Sequence, residues 1–362
     1  MTGMGSLGIL QWNTEKTDYY TDQVAKHCAS SGIQVVRLSP LSCNFRTLTA
    51  TGLRYDLSAG QWTKAVFPVP AFIYDRCFYP PGSKENKRVS EAAEQLKKHS
   101  VFLGSGLPNK WAVYRWLRKD SHIAGFLPPT QLLEEEAFSA YLNAFGTVVI
   151  KPVSGSGGDG FHVIRLKDFT ISLYNKNKEL LLAENSRETL YKFLKSSLPA
   201  SKYIIQPFLK LQLNGRPFDL RVVMQKESPE HWYEAGKGYR VGRKNSYVSN
   251  LRAGGRISSS LNHHSGQYKQ AEKTAEKISP LIPVVLEKYH QPLFELGIDY
   301  GLDSHGKLWI IEVNSKPGYE TVLKTTDVAR KNLIFSRPAS LIRQLEQLRI
   351  KGPAAKAQPE DK

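Results

Sequence analysis

The feature that most constrains this chain is a run of glycines between two strand-like segments, "IKPVSGSGGDGFHVIRL" at residues 150–166. Gly155, Gly157 and Gly160 fit G-x-G-x-x-G, a spacing used to cradle phosphates. A dinucleotide-binding turn needs a strand before the glycines and a helix after them. Here "TVVIKP" precedes, and the β-branched, aromatic "FHVIRLKDF" follows, so the element reads strand–loop–strand. That excludes a Rossmann turn. It equally excludes a Walker loop, which needs Gly-Lys-Ser/Thr leading into a helix. A protein-kinase lid has the right shape, but neither H-R-D nor D-F-G occurs in the chain. Two readings remain: a glycine-rich hairpin folded over a triphosphate, with Lys151 reaching it from the entering strand, or a surface hairpin with a loose turn.

A magnesium triphosphate requires hard oxygen ligands beside the phosphates. The stretch "ELGIDYGLDSHGKLWIIEVNSKPGYE" (295–320) offers them. Strand alternation along "KLWIIEVN" predicts Leu308, Ile310, Glu312 and Asn314 on one face, with Glu312 and Asn314 roughly 7 Å apart. A four-residue turn at Ser304–Lys307 pairs Asp303 with Leu308 and sets Asp299 opposite Glu312. Asp299, Glu312 and Asn314 then converge at one end of an otherwise apolar hairpin. A solvent-facing strand edge is the bland alternative. It leaves unexplained why carboxylates share a face with Leu308 and Ile310, since burying an unpaired carboxylate is costly.

The 362 residues suffice for two or three lobes, and a hydrophobic fraction of 41% supplies real cores. Fifty Lys and Arg against 33 Asp and Glu give +17, which favours anionic partners. The basic runs "SKENKR" (83–88) and "QLKKH" (95–99) read as solvated faces, and nothing marks a dedicated nucleic-acid binder. Three scattered cysteines without C-x-x-C fit a reduced, cytoplasmic protein. No signal peptide or apolar run long enough for a membrane span is visible. "SLGIL" (6–10), a helix at 19–32 and "IQVVRLS" (33–39) predict a β-α-β opening, and "PAFIYDR" (70–76) another strand. Pro80-Pro81-Gly82 breaks the chain. Helices are expected at 109–120, 134–146, 186–197, 265–290 and 339–350, with strands at 203–209, 218–226 and 231–242. His263-His264 lack a third ligand and read as loop residues.

Lys110 in "NKW", Lys151, "IIQPFL", "DLR" (219–221), "SNLRAGG" (249–255) and "GID…IIEVNSKPG" occur in the order seen in ATP-grasp enzymes. The chain resembles their glutamate-ligase branch, typified by RimK and the glutathione synthetases. "PAFIYDR", "LPNKW", "LPPT" and "ELGIDYGLD…GKLWIIEVNSKPG" resemble more closely the YheC/YheD family of bacilli, described as endospore coat-associated ATP-grasp proteins. The likeness spans about residues 5–345. It implies an ATP-grasp fold of α/β class (α+β lobes), with an N-terminal α/β pre-ATP-grasp domain over 1–104 and the ATP-grasp domain over 105–350. The latter divides into a lobe to about 205, a hinge at 206–209 and a second lobe over 210–350. A disordered tail follows at 351–362.

The resemblance also implies roles. Lys110 and Lys151 bind the α- and β-phosphates. Gly155, Ser156, Gly157, Gly158 and Gly160 form the lid. Gln206, Pro207, Phe208 and Leu209 receive adenine, and Asp299, Glu312 and Asn314 hold one or two Mg²⁺ (or Mn²⁺). Arg221 and Arg240 are the candidates for charge stabilisation, with Arg243 as fallback, and Asn250, Gly254 and Gly255 shape the loop near the reacting groups. The activity implied is an ATP-dependent carboxylate–amine ligase working through an acylphosphate, on an amino acid or peptide, linked to sporulation and to spore coat proteins. A nucleotide-binding coat component without turnover and a small-molecule kinase are the competing readings. Two departures stand out: Gln206 where many ATP-grasp enzymes have Glu, and Lys316 where the glutamate-ligase pattern has a smaller residue.

Overall fold

The computed structural model describes residues 5–16, 18–78, 84–155, 157–198, 202–258 and 266–350. Ser156, the Pro80–Gly82 break, His263-His264 and the tail at 351–362 lie outside the described residues.

The expected β-α-β opening is present. Strand β1 (Ser6–Leu10) leads through helix α1 (Tyr19–Ser30) to β2 (Gln34–Asn44), which pairs parallel to β1 with Ser6 against Gln34. Asp18 caps α1, its carboxylate accepting from the Tyr20 N–H at 3.2 Å. A hairpin of β3 (Thr49–Asp56) and β4 (Gln61–Pro68) then extends the β2 edge. Strand β3 is mostly half-buried and β4 largely exposed, so no apolar alternation announced them. On the far side of β1 lies β5 (Phe72–Asp75), followed by α2 (Lys84–Leu96) and β6 (Val101–Phe102), giving the order β4-β3-β2-β1-β5-β6. Helix α2 buries Val89, Ala93 and Leu96 and leaves its Lys and Arg residues in solvent, as a solvated basic face should.

The second unit starts with α3 (Lys110–Leu117), capped by Asn109 Oδ1 on the Ala112 N–H at 2.9 Å. After α4 (Ser121–Ala124) come β7 (Gln131–Leu132) and α5 (Glu135–Phe145), then β8 (Thr147–Pro152) and β9 (His162–Lys167). Next are β10 (Thr170–Asn175), β11 (Leu180–Glu184), α6 (Arg187–Ser197) and β12 (Tyr203–Pro207). They make an antiparallel sheet ordered β11-β10-β9-β8-β12-β7. Phe138, Leu142, Leu190 and Leu194 of α5 and α6 bury against Ile150, Ile164 and Ile205.

The third unit has β13 (Gln212–Leu213), β14 (Arg216–Lys226), β15 (Trp232–Val241) and β16 (Arg256–Ser258), then α7 (Gly266–Ile278) and α8 (Leu281–Glu287). It closes with β17 (Glu295–Leu302), β18 (Leu308–Asn314), α9 (Glu320–Thr325) and α10 (Val328–Ile350). The helical stretch expected at 265–290 is thus two helices, broken where Pro280 follows Ser279. Helix α10 starts well before the expected 339 and runs through Pro338, because Ile334, Phe335, Leu341 and Ile342 all bury in the core that α1 also enters.

The third sheet runs β16-β15-β14-β17-β18, antiparallel throughout, with β13 paired to β14. On one face Leu220, Val222, Ile298 and Tyr300 pack with Ala275, Ile282 and Leu286 of α7 and α8. The opposite face changes character along the strands. At one end Val223 and Ala235 bury with Val322, Ile334 and Phe335. At the other end the same alternation delivers Asp219, Arg221, Arg240 and Asp299 to a cavity.

Candidate active site

The cavity has a volume of about 880 Å³ and is walled by all three units. Its floor is a row of charges set by strand register. Arg240 of β15 lies opposite Asp219 of β14, and two residues on, Arg221 lies opposite Asp299 of β17, which in turn faces Glu312 of β18. Arg221 clamps Asp299 through Nε and Nη2, and Arg240 Nη2 reaches the same carboxylate at 2.8 Å. Arg240 Nε is anchored on Asp219 at 2.7 Å, and Ser249 donates its hydroxyl to Asp219 as well. Burial opposes charge on Asp299, but the two guanidinium groups outweigh it and hold the carboxyl below the usual range. For Asp219 burial wins over Arg240, aided by the negative neighbour, and its carboxyl is raised.

The pairing of Asp299 with Glu312 agrees with the sequence expectation, though it arises differently. Leu302, not Asp303, pairs with Leu308, so the turn is one residue longer on the β17 side. A bulge between Asp299 and Tyr300 then shifts the register back, leaving Ile311 unmatched. The bulge also corrects the expected face. Leu308 and Ile310 sit in the apolar core with Val313 against it, whereas Ile311, Glu312 and Asn314 line the cavity. The extra residue inverts the alternation, so the oxygen ligands do not share a face with those apolar side chains.

The glycine hairpin forms the opposite wall, joining β8 to β9 as strand–loop–strand. Gly155, Gly157, Gly158 and Gly160 all take positive φ, between 72° and 116°. Gly160 is further constrained, since a Cβ there would lie 2.7 Å from Pro152 Cγ and 2.8 Å from Tyr203 Oη. Lys110 bridges this loop and the floor, its ammonium donating to the Gly155 carbonyl at 2.6 Å and lying 3.1 Å from Glu312 Oε1. Lys151 is half-buried and donates to the Ile311 carbonyl at 3.3 Å. Burial lowers its ammonium to about 8, further depressed by Lys110 and partly restored by Glu312 and Asp299.

At one end of the cavity, Gln206, Pro207, Phe208 and Leu209 all contribute to the lining. Gln206 Nε2 donates to Thr130 Oγ1 at 2.7 Å, and Thr130 spends its own hydroxyl proton on the Pro128 carbonyl at 2.8 Å. Phe208 meets Tyr247 edge to face, with centroids 5.5 Å apart. Asn250 lines the cavity too; its Oδ1 caps the short 3₁₀ turn Leu251–Ala253, accepting from the Ala253 N–H at 2.8 Å. Arg243 is exposed and lies over Gly254, and it does not line the cavity.

At the other end, the N-terminal sheet supplies a buried polar network that the sequence reading missed. Glu295 accepts from Tyr74 Oη at 2.5 Å, from Tyr319 Oη at 2.7 Å and from Arg76. Arg76 also donates to the Pro317 carbonyl at 2.9 Å. Lys316 lines the cavity, but its ammonium is held by Asp75 at 2.7 Å and by the Cys77 carbonyl. Only "PAFIYDR" hinted at this, by placing three polar residues at the end of a parallel strand.

A match to the model of the YheC/D-like ATP-grasp family covers residues 99–345. The chain belongs to that family. Among relatives of this ATP-grasp chain, endospore coat-associated protein YheC of Bacillus subtilis (strain 168) is 29% identical over 343 residues, 91% of this chain and 93% of that protein. Endospore coat-associated protein YheD of the same organism is 25% identical over 76% of this chain and 62% of its own length. Solved structures agree on the ATP-grasp fold. D-cycloserine synthetase DcsG superposes with a TM-score of 0.56 at 12% identity, covering 92% of this chain and 99% of that one. The D-alanine–D-alanine ligase of Coxiella burnetii gives 0.54 at 12% identity, covering 96% and 97%. Among the described residues no helix is long and apolar enough to cross a membrane.

The ATP-grasp site fits a triphosphate and a hard cation by its chemistry. Lys151 is a half-buried ammonium whose hydrogen bond is to a carbonyl, and a cavity anion would supply its countercharge. Among the described residues no three His, Cys, Asp or Glu side chains form a self-sufficient metal cage. Two carboxylates and an amide suit an ion that completes its shell with phosphate oxygens and water. Asp299 takes three N–H contacts where a carboxylate offers about four positions, so one is open to such an ion and Arg240 Nη2 covers another.

Proposed function

We propose that this protein is an ATP- and Mg²⁺-dependent carboxylate–amine ligase acting through an acylphosphate. The observation that carries the reading is the facing of the glycine hairpin and its two lysines against a strand row bearing Asp299, Glu312 and Asn314. In this reading residues 1–104 form the pre-ATP-grasp domain, and Gln206–Leu209 the hinge between the lobes at 105–205 and 210–350.

Gln206, Pro207, Phe208 and Leu209 receive adenine, and Lys110 and Lys151 bind phosphate oxygens as point charges. Asp299, Glu312 and Asn314 would hold the metal, which would offset negative charge on the triphosphate. The glycine loop excludes water over the phosphates. Phosphoryl transfer to a substrate carboxylate makes its carbon open to attack by an amine, with ADP and then phosphate leaving. Arg240, anchored by Asp219 and Ser249, and Arg221 stabilise the oxyanion of that attack. Asn250 holds the loop beside them. The acid is an amino acid or peptide, and sporulation and the spore coat are its setting by kinship with YheC and YheD.

A hydroxylamine trap tests this. Protein, Mg-ATP and hydroxylamine are incubated with pooled amino acids, dicarboxylates and small peptides, and hydroxamate and ADP are assayed. An ATP-dependent hydroxamate, lost in Glu312→Ala, is expected. ATP binding with no hydroxamate from any pool would instead favour a nucleotide-binding coat component, a reading supported by the description of the relatives and the +17 charge.

A further inference from the structure

Each carboxylate that faces the phosphate region already carries a cation of the protein's own. Glu312 lies 3.1 Å from Lys110, and Asp299 is held by Arg221 and by Arg240 at 2.8 Å. The partners are mostly out of water, with side-chain exposures of 19% and 23% for Lys110 and Glu312, and 8% and 9% for Arg240 and Asp299. Lys110 and Arg240 are also the cations that would meet phosphate and oxyanion. The same groups therefore have two alternative sets of partners within one cavity.

We infer that Lys110 and Arg240 are placeholder cations, which occupy the metal carboxylates until a divalent ion and a nucleotide arrive together and exchange partners with them. This rests on the nucleotide-site reading above. A metal entering alone would displace Lys110 from Glu312 and leave that ammonium without a countercharge in a half-buried site. A nucleotide entering alone would draw Lys110 away and strand the Glu312 carboxylate. Either half-exchange carries the cost of an unpaired buried charge, whereas the complete exchange pairs every group.

Two details give the exchange a direction. Lys110 also donates to the Gly155 carbonyl, so its release from Glu312 is linked to the glycine loop that covers the phosphates. Arg240 keeps Nε on Asp219 whatever Nη2 does, so Asp219 and Ser249 act as a fixed pivot while the Asp299 contact is exchanged. Lys151 differs: among the described residues no carboxylate lies within ion-pair distance of it, and its hydrogen bond is to a carbonyl. It is the site's standing anion receptor, and Lys110 and Arg240 are the conditional ones.

The test is a double-mutant cycle read by equilibrium binding. ADP affinity in EDTA is measured by calorimetry for the full chain, Glu312→Gln, Lys110→Met and the double variant. Freed of Glu312, Lys110 should tighten metal-free ADP binding about tenfold in Glu312→Gln, and this gain should vanish in the Lys110→Met background. A gain of equal size in both backgrounds would mean simple removal of a negative charge and would overturn the exchange. A second arm titrates Mn²⁺ alone by electron paramagnetic resonance. Lys110→Met should bind it about tenfold more tightly than the parent chain; unchanged affinity, with melting curves showing a folded variant, also overturns the inference. ADP failing to bind any folded form, with or without Mn²⁺, would overturn the nucleotide site itself and the exchange with it.

Discussion

The glycine hairpin between β8 and β9 and the strand pair β17–β18 line one cavity and are held in place by opposite means. The hairpin is made of backbone: four glycines at positive φ, tied down by Lys110 on the Gly155 carbonyl and by Lys176 on Asp159 at 2.6 Å. Strand β17 is buried at every residue; Asp299 is fixed by Arg221 of the neighbouring strand, and Glu295 by Arg76 of the N-terminal unit. A loop that must open and close around a ligand draws on contacts that are few and exchangeable. A row that must present charge in one geometry draws on buried ion pairs, which break at high cost. The two walls divide the work: one encloses, the other positions.

That contrast breaks first at Asp299. Asp299→Ala leaves Arg221 and Arg240 buried around a lost acceptor, and a loss of about 3–5 kcal/mol is expected in urea unfolding. A change under 1 kcal/mol would show that the row is not held by its ion pairs. Within the hairpin, Gly160→Ala should cost about 2–3 kcal/mol, because the new Cβ meets Pro152 and Tyr203 as well as an unfavourable φ. Gly157→Ala, whose nearest neighbour would be 3.7 Å away, should cost about 1 kcal/mol from φ alone. Equal costs would mean that packing plays no part in the loop.

The smallest effect concerns Lys151, which sits between the two walls. Its folded value near 8 lies below that of a free lysine, so its charge is present below that pH and is lost as pH rises through it. ADP affinity should therefore fall up to about tenfold between pH 7 and pH 9, and Lys151→Arg should flatten the profile. A flat profile in the parent chain would remove Lys151 from the phosphate contacts.

What the sequence by itself determined is what neighbours along the chain decide. Glycine spacing and the β-branched flanks gave the strand–loop–strand hairpin, since φ preferences act on single residues. The composition of "FDLRVVMQK" foretold a strand, and the helix expected from Asn109 begins where that side chain caps it. The tertiary structure alone decided the rest. The bulge beside Asp299 inverted the face of β18, and no single-strand pattern carries a register shift that two strands share. Arg221 and Asp299 are 78 residues apart, and Tyr74 and Glu295 are 221 apart. Their pairing depends on which strands lie side by side. Charges of that kind look alike in a sequence, whether they end as surface groups or as a buried row, because desolvation is fixed only when the sheet and its helices have closed over them.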